Sequence, residues 1–327
     1  MNDPMPNDPM PNGPDLRTTI GGLVLKNPVL TASGTFGYGR EFMDLIDLDR
    51  LGGIILKGVS LSPTRGNPPP RVVETASGML NAIGLENVGF DALVREKLPI
   101  LEKLETPVFI NLYGTTVEEY AALAAASDEV DRIDAVEVNI SCPNVKAGGV
   151  AFGVDPASAA AVTAAVRSRT TKPVMVKLSP NVADVAAIAR SVEDAGADAV
   201  SLINTLTGMA VDLKTRRPVL ANVTGGLSGP AIKPVALRMV WQAAGAVSIP
   251  VVGIGGIMTA EDALEFLTVG ASAVQVGTAN LVDPSASVRI IEGIKAFLSE
   301  NGIGRVTDMV GALTVRPVPK GPHGKDT

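Results

Sequence analysis

The 327-residue chain has one cysteine and one histidine, and only 3% of its residues are aromatic. A lone cysteine cannot close a disulfide within the chain, ligate an iron–sulfur cluster or build a zinc site with other cysteines. The only histidine, His323, lies in the polar C-terminal tail, which disfavours a Cys–His hydrolase. We therefore expect no bound metal, and a fold that is stable in a reducing, cytoplasmic setting.

Basic residues are also scarce. The chain has 28 Lys plus Arg against 34 Asp plus Glu, a net charge of -6, and no cluster of basic residues. Nucleic-acid backbones are bound mainly by clustered basic side chains, so nucleic acid is not an expected partner. No signal-peptide pattern is present, and the uncharged stretch 239–260 is interrupted by Gln242, Pro250 and several glycines. Because a membrane span needs ~20 predominantly apolar residues, we expect no membrane association.

Short apolar runs alternate with helical patterns along most of the chain. The apolar runs cover residues 27–33, 52–58, 107–114, 135–143, 172–180, 199–205, 249–257 and 273–279. The helical patterns cover about 40–51, 90–104, 116–130, 155–170, 184–196, 230–247, 259–270 and 284–302. Continuous apolar runs are typical of parallel strands that are buried on both faces. Eight strand–helix units in a row predict an α/β fold, a (β/α)8 TIM barrel.

An internal repeat supports this count of eight. TPV, KPV and IPV open the third, fifth and seventh apolar runs, whereas DAV, DAV and SAV open the fourth, sixth and eighth. In a (β/α)8 barrel, odd and even strands contribute side chains to alternate interior layers. The repeat therefore indicates that the odd and even strands fill different layers.

Two connections are too long for simple turns, namely 59–89 after the second run and 206–229 after the sixth. Loops of this length are usually lids or binding loops, so we expect both to lie over the C-terminal face of the barrel. The segment 1–14 repeats NDPMP and has little to bury, which predicts a disordered N-terminal extension. The barrel is expected to span 15–313, followed by a flexible tail over 314–327.

Polar residues or glycines end all eight runs, where barrel active sites are assembled. They are Ser33, Lys57, Asn111, Asn139 with Cys142, Lys177, Asn204 with Thr205, Gly255 with Gly256, and Gly277 with Thr278.

The two glycine-containing pairs follow the seventh and eighth runs, the usual phosphate position of this fold. The helix after Gly256 has a predicted cap, with Thr259 followed by Asp262 three residues later. Backbone N–H groups and the helix dipole could therefore converge on an anion. The alternative is that these glycines serve only tight turns.

Lys57 and Lys177 stand in otherwise apolar runs. A buried charge is costly unless it is paired or meets an anionic ligand, so each lysine either binds such a ligand or forms a structural ion pair. Four asparagine amides could hydrogen-bond to the donors and acceptors on the edge of a flat heterocycle. They are Asn81, Asn111, Asn139 and Asn204. Taken one by one, these amides are also typical turn or capping residues.

Cys142 follows the fourth run directly. A lone cysteine is usually a small buried hydrophobe. At this position a thiolate acting as a base is the alternative, because it needs no histidine partner.

These motifs together resemble the catalytic subunit of class 1B dihydroorotate dehydrogenases over almost all of 15–313. The motifs that carry the resemblance are TASGTFGYG (31–39), LKGVS (56–60), NAIGLEN (81–87), NLYG (111–114), NISCPNVKAGGVAFG (139–153), VKLSPN (176–181), INT (203–205), GGLSGPAIKP (225–234), GIGGI (253–257) and VGTA (276–279).

The resemblance implies an FMN enzyme that oxidises dihydroorotate to orotate in pyrimidine biosynthesis, with Cys142 as the base. The substrate-binding residues that it implies are Lys57, Asn81, Gly84, Leu85, Asn139, Asn204 and Thr205. The implied FMN-binding residues are Ser33, Lys57, Gly58, Asn111, Asn139, Lys177, Ile203, Gly229, Gly255, Gly256, Gly277 and Thr278.

The resemblance also implies a partner, because this chain offers no second redox site. The partner would be an electron-transfer subunit with FAD and a 2Fe–2S cluster that passes electrons to NAD+, docked on a homodimer of this chain as a heterotetramer. The alternatives are a class 1A fumarate-linked enzyme, a dihydropyrimidine dehydrogenase module, a flavin-free phosphate-binding barrel that forms a Schiff base on Lys57 or Lys177, and a non-catalytic binding subunit.

Overall fold

In the computed structural model, residues 13–141 and 150–315 are described. The strands in chain order are β1 (Thr18–Ile20), β2 (Leu23–Leu25), β3 (Val29–Thr31), β4 (Ile54–Ile55), β5 (Val72–Thr75), β6 (Gly78–Asn81), β7 (Val108–Leu112), β8 (Ala135–Asn139), β9 (Val174–Lys177), β10 (Ala199–Leu202), β11 (Leu206–Met209), β12 (Val211–Asp212), β13 (Arg217–Pro218), β14 (Thr224–Ser228), β15 (Val251–Ile254) and β16 (Ala273–Val276).

The α-helices are α1 (Phe90–Ala92), α2 (Val117–Asp128), α3 (Val150–Gly153), α4 (Pro156–Arg167), α5 (Val185–Asp194), α6 (Lys233–Ala244), α7 (Ala260–Thr268), α8 (Thr278–Val282) and α9 (Ala286–Glu300). Short 3-10 helices cover Arg40–Phe42, Leu48–Arg50, Leu98–Leu101, Pro230–Ile232 and Val306–Met309, and a π-helical turn covers Leu93–Lys97.

The barrel consists of eight parallel strands in the order β3-β16-β15-β10-β9-β8-β7-β4. A parallel bridge between Leu30 and Gly53 joins the two ends of this order. Each of the eight predicted apolar runs contributes one of these strands, so the predicted (β/α)8 barrel is confirmed.

The lower part of the barrel interior is apolar. The odd-numbered barrel strands supply Leu30, Phe109, Met175 and Val252, and the even-numbered ones supply Ile55, Ala135, Ala199 and Ala273. Apart from Ile55, the even-numbered strands contribute only alanine to this cluster, whereas the odd-numbered strands contribute larger side chains. The hairpin β1–β2 adds Ile20 and Leu25 to the same cluster, and it closes the end at which the strands begin.

The first strand–helix unit differs from the prediction. A helix over 40–51 was expected, but this segment forms only the 3-10 turns Arg40–Phe42 and Leu48–Arg50. The Asp47 side chain accepts a hydrogen bond from Asp49 N, and Phe42 stacks on Phe36 with ring centroids 3.9 Å apart. Local bonding by aspartate competes with the helical backbone pattern, and core packing of Phe42 holds the turn.

The second predicted helix, 90–104, forms but is irregular. It runs from α1 through the π-helical turn into the 3-10 helix Leu98–Leu101. Pro99 lies in its last turn, where a residue without an N–H cannot continue the regular hydrogen bonding. The other six predicted helices correspond to α2, α4, α5, α6, α7 and α9.

The two long connections meet over the C-terminal face. They form a four-stranded antiparallel sheet in the order β11-β14-β6-β5, in which Asn81 pairs with Gly226 and Leu80 with Leu227. Both connections were expected to overhang this face. Their pairing into one sheet, referred to below as the lid sheet, was not predicted.

Candidate active site

A cavity of about 370 Å³ lies between the carboxyl ends of the barrel strands and the lid sheet. Every described residue that the sequence nominated for substrate or cofactor lines this one cavity. These residues are Ser33, Lys57, Gly58, Asn81, Gly84, Leu85, Asn111, Asn139, Lys177, Ile203, Asn204, Thr205, Gly229, Gly255, Gly256, Gly277 and Thr278. The nominated base, Cys142, lies outside the described residues.

Lys177 is the last residue of β9, and it is only 4% exposed. Its Nζ donates a hydrogen bond of 3.2 Å to Ser33 Oγ. Within the described ranges Lys177 forms no ion pair, so the structural ion pair considered above is not present there. A buried ammonium is costly without an electron-rich partner, and the position fits an anionic or oxygen-rich group in the cavity.

The wall beside the ends of β15 and β16 is built from glycine backbone. Gly255 and Gly256 have φ angles of +123° and +76°, which side chains of L-residues rarely adopt. A Cβ on Gly256 would lie 2.8 Å from Lys233 N and 2.9 Å from Gly229 O. Only glycine at position 256 therefore lets this turn approach the segment from Gly229 to Lys233 so closely. The cavity is lined here by exposed main chain, as a phosphate site requires.

Helix α7 contributes less to this site than the sequence predicted. The expected cap is present, since Thr259 Oγ1 accepts from Asp262 N. The Asp262 carboxylate in turn accepts from Met258 N at 2.8 Å and Thr259 N at 3.0 Å. These N–H groups are therefore engaged by the chain itself, and the glycine backbone is the better candidate for an anion.

Three asparagine amides form a connected row at the ends of β7, β8 and β10. Asn139 Nδ2 donates to Asn111 Oδ1 at 3.2 Å. Asn139 Oδ1 accepts from Ser141 Oγ at 2.9 Å, and Ser141 Oγ accepts from Asn204 Nδ2 at 2.8 Å. Asn204 Oδ1 also accepts a hydrogen bond from Thr205 N at 2.7 Å. The row fits the edge of a flat heterocycle, which needs donors and acceptors at fixed places.

Lys57 provides positive charge in the cavity, at the end of β4 beside β7. It is partly buried, and it lines the cavity together with Arg71 and Glu86, which form an ion pair with each other. Burial lowers the pKa of Lys57 below its usual 10.5, partly offset by Glu86 and reinforced by Arg71. Lys57 itself forms no ion pair among the described residues, which leaves its ammonium available to a carboxylate ligand.

The lid sheet and the loop after β6 supply three more of the nominated residues, Asn81, Gly84 and Leu85. Asn81 ends β6, and its Nδ2 donates to Gly226 O at 3.5 Å. Gly84 and Leu85 both have positive φ, +73° and +58°. A Cβ on Gly84 would lie 2.7 Å from the Asn67 side chain, so this turn packs too tightly for any larger residue.

Sequence reasoning missed three charged residues of this site, one beneath the cavity and two in its lining. Glu137 is fully buried beneath it in β8, within the apolar run AVEVN. A charge in an apolar run was the signal that singled out the two lysines, and the same signal identifies Glu137. Arg71 and Glu86 were missed because nothing local distinguishes them from other surface charges.

A second missed cluster lies behind the glycine turns. Lys233 Nζ forms ion pairs with Asp262 Oδ1 and Glu265 Oε2. The motif GGLSGPAIKP contains Lys233, but sequence alone gives no sign of its partners on another helix.

No cluster of three or more potential metal-ligating side chains occurs in the described part of the chain. Likewise, no helix among residues 13–141 and 150–315 is both long and apolar enough to cross a membrane.

Comparison with known protein families gives a match over most of the chain. The model of the family "Dihydroorotate dehydrogenase" matches residues 15–298. This range contains all of the cavity-lining residues named above as well as Cys142.

Curated relatives match at high identity and nearly full length. "Dihydroorotate dehydrogenase B (NAD(+)), catalytic subunit" from Geotalea uraniireducens is 63% identical over 300 residues, which cover 92% of this chain and 98% of that protein. The proteins of the same name from Pelobacter propionicus and Geobacter sulfurreducens are each 62% identical, covering 92% of this chain and 99% of those proteins.

Among solved structures, the fold is similar to that of a dihydroorotate dehydrogenase from Eimeria tenella crystallised in complex with ferulenol. The TM-score is 0.75 at 22% identity, covering 94% of this chain and 91% of that one. At this identity the similarity shows the shared fold alone.

Proposed function

The chain belongs to the dihydroorotate dehydrogenase family, and from that membership we propose that it oxidises dihydroorotate to orotate in pyrimidine biosynthesis. The chain is therefore an oxidoreductase, and the family implies a flavin cofactor. A flavin-free Schiff-base lyase and a non-catalytic binding subunit do not agree with this membership. The observation that carries the proposal is the convergence of all the described candidate residues on one cavity.

The flavin is proposed to be FMN. Ser33, Asn111, Asn139 and Lys177 would hold the flavin ring, and the backbone of Gly255 and Gly256 would hold its phosphate. The remaining proposed contacts are Lys57, Gly58, Ile203, Gly229, Gly277 and Thr278. When bound, FMN supplies the two-electron oxidant. The buried ammonium of Lys177 would stabilise negative charge on the reduced flavin ring, which supports placing the ring beside it.

The substrate is proposed to bind between Lys57 and the amides. A charge-assisted hydrogen bond from Lys57 would orient the carboxylate of dihydroorotate. Asn81, Asn139 and Asn204, together with Thr205, would fix the ring, and Gly84 and Leu85 would close over it. These positions line the same cavity as the proposed flavin contacts, so the ring can lie against the flavin.

Cys142 is proposed to remove the proton from C5 of dihydroorotate. This assignment rests on the motif NISCPN, in which Cys142 follows the apolar run 135–141 directly. Cys142 itself lies outside the described residues. A thiol with a pKa near 8.5 can act as a base near neutral pH.

The final acceptor is proposed to be NAD+, reached through a separate subunit. The relatives named above are catalytic subunits of an NAD(+) enzyme, and such a name implies a further subunit. We infer that this partner carries FAD and a 2Fe–2S cluster and docks on a homodimer of this chain, forming a heterotetramer. A cytoplasmic location is proposed with it, because one cysteine provides no disulfide to require an oxidising compartment.

The test uses the purified chain with and without its partner. We expect a yellow protein that releases FMN on denaturation and reduces artificial dyes with dihydroorotate. NAD+ should be reduced negligibly until the partner is added. Rapid NAD+ reduction by the chain alone would contradict the partner proposal, and efficient turnover with fumarate would place the chain in class 1A instead.

A further inference from the structure

Glu86 is the single carboxylate among the described residues that line the cavity. The other charged side chains of this lining are those of Lys57, Arg71 and Lys177. A carboxylate repels a carboxylate ligand, and it attracts the ammonium group that such a ligand needs. Glu86 is therefore placed where it can oppose the binding of dihydroorotate, and the outcome depends on which cation it contacts.

Arg71 is the cation that Glu86 contacts. Its Nη2 donates to Glu86 Oε2 at 2.5 Å, and its Nη1 donates to Asn67 O at 3.3 Å. The two charged side chains are 28% and 42% exposed, so water screens this ion pair only in part. The planar guanidinium matches the geometry of a carboxylate, and its second hydrogen bond fixes it beside Glu86.

The main chain keeps Glu86 next to the cavity. A Cβ on Gly66 would lie 3.0 Å from Glu86 Cβ and 3.3 Å from Glu86 N, so these two segments are in close contact. Only the rotatable bonds of the Glu86 side chain can therefore redirect its carboxylate.

Lys57 is the other cation near Glu86. The two residues line the cavity together, and both also line a smaller neighbouring pocket. Burial lowers the pKa of Lys57 and Glu86 opposes this effect, so the charge of Glu86 acts on the Lys57 ammonium. Lys57 nevertheless forms no ion pair among the described residues. The carboxylate of Glu86 is paired with Arg71 instead.

We propose that Arg71 is a positioning residue that neutralises Glu86 and thereby keeps Lys57 free to bind the carboxylate of the substrate. This inference rests on the proposed function. Without Arg71, the Glu86 side chain can turn to Lys57 and form an ion pair that competes with the substrate carboxylate. An unpaired Glu86 also repels that carboxylate. Both effects weaken the binding of a ligand with a carboxylate and spare a ligand without one.

The test measures ligand affinity in Arg71→Met, in Glu86→Gln and in the double variant, each as the FMN enzyme. Orotate is titrated by flavin absorbance. Uracil, which lacks the carboxylate, is measured by its competition with orotate. Arg217→Met is the matched control, because it removes one positive charge from an exposed arginine in the other long connection.

We expect Arg71→Met to bind orotate about tenfold or more weakly than the wild type, and to bind uracil within about twofold of it. The double variant should recover orotate affinity to within about threefold of the wild type, because the opposing charge is gone. Glu86→Gln alone should bind orotate at least as tightly as the wild type. Arg217→Met should change neither affinity by more than about twofold.

Arg71→Gln provides a second test if Arg71→Met loses FMN, because glutamine still offers an NH2 group but carries no charge. The same affinities are expected for it, alone and combined with Glu86→Gln.

Three results would overturn the inference. They are wild-type orotate affinity without Arg71, a double variant that binds orotate no better than the Arg71 variant, and an equal loss of orotate and uracil affinity in the Arg71 variant. The last result would mean general damage to the cavity. A wild-type chain that binds neither FMN nor orotate would instead contradict the proposed function, so the two failures are distinguishable.

Discussion

Lys233 Nζ lies 2.6 Å from Asp262 Oδ1, and this ion pair joins the start of α6 to the first turn of α7. Asp262 also accepts the N–H groups of Met258 and Thr259, which follow the glycine turn Gly255–Gly256. The turn proposed to hold the flavin phosphate is therefore anchored through Asp262 to a lysine on the preceding helix.

Lys233→Met should loosen this turn. The two side chains are 25% and 15% exposed, so the pair should contribute more than the ~0–1 kcal/mol of a fully exposed pair. We expect FMN affinity to fall about five- to thirtyfold and the melting temperature of the FMN enzyme to drop. FMN titration and thermal unfolding measure the two effects. Lys103→Met, at an exposed lysine, is the matched control and should change neither.

The ion pair between Lys233 and Asp262 also makes the loss of stability in Lys233→Met depend on pH. Burial alone would raise the pKa of Asp262, but the hydrogen bonds from Lys233 and from two backbone N–H groups hold it below its usual 3.8. The stabilisation is therefore present above that usual value and is lost as the pH falls through the lower folded pKa. The stability difference between Lys233→Met and wild type should narrow below about pH 4. A constant difference down to pH 2 would contradict this account.

The second prediction concerns Lys57 and the substrate carboxylate. Lys57→Ala should weaken orotate binding about ten- to a hundredfold, because hydrogen bonds to charged groups contribute about 1.5–3 kcal/mol. The same substitution should slow flavin reduction by dihydroorotate. Uracil, which lacks the carboxylate, should bind both proteins equally and serves as the control ligand. Flavin spectral titration and rapid mixing provide the measurements.

Burial lowers the pKa of Lys57, so its charge is lost at a lower pH than that of an exposed lysine. Orotate affinity of the wild type should therefore decline as the pH rises through this lowered pKa, below 10.5. Lys57→Ala should show no such decline. Equal orotate affinity in both proteins at neutral pH would remove Lys57 from carboxylate binding.

Sequence patterns predicted the barrel because each strand carries its own signal, a continuous apolar run that ends in a polar residue or glycine. The first helix was wrong because Asp47 and the packing of Phe42 outweigh helical periodicity over a short segment. The pairing of Asn81 with Gly226 could not be predicted, because it joins two loops that are remote in sequence. Such contacts depend on the assembled barrel.

The candidate site was predictable where a residue is unusual for its own strand, as Lys177 is in VMVKLSP. Glu137 carries the same signal in AVEVN but was missed, because it lies two residues before the end of β8 at Asn139, whereas active-site residues are expected at or beyond strand ends. Partners such as Asp262 for Lys233 depend on how two helices pack, which local sequence does not reveal.

The last prediction concerns Cys142, whose role stays a prediction from the sequence. Cys142→Ser should retain FMN and bind orotate with nearly wild-type affinity, because serine and cysteine side chains are similar in size and shape. Flavin reduction by dihydroorotate should slow by about two to four orders of magnitude near pH 7, the usual contribution of a positioned base, because a hydroxyl is a far weaker base than a thiolate. Rapid mixing under anaerobic conditions, with orotate affinity as the control, separates loss of the base from loss of binding. Reduction of the serine variant at the wild-type rate would show that another group removes the C5 proton.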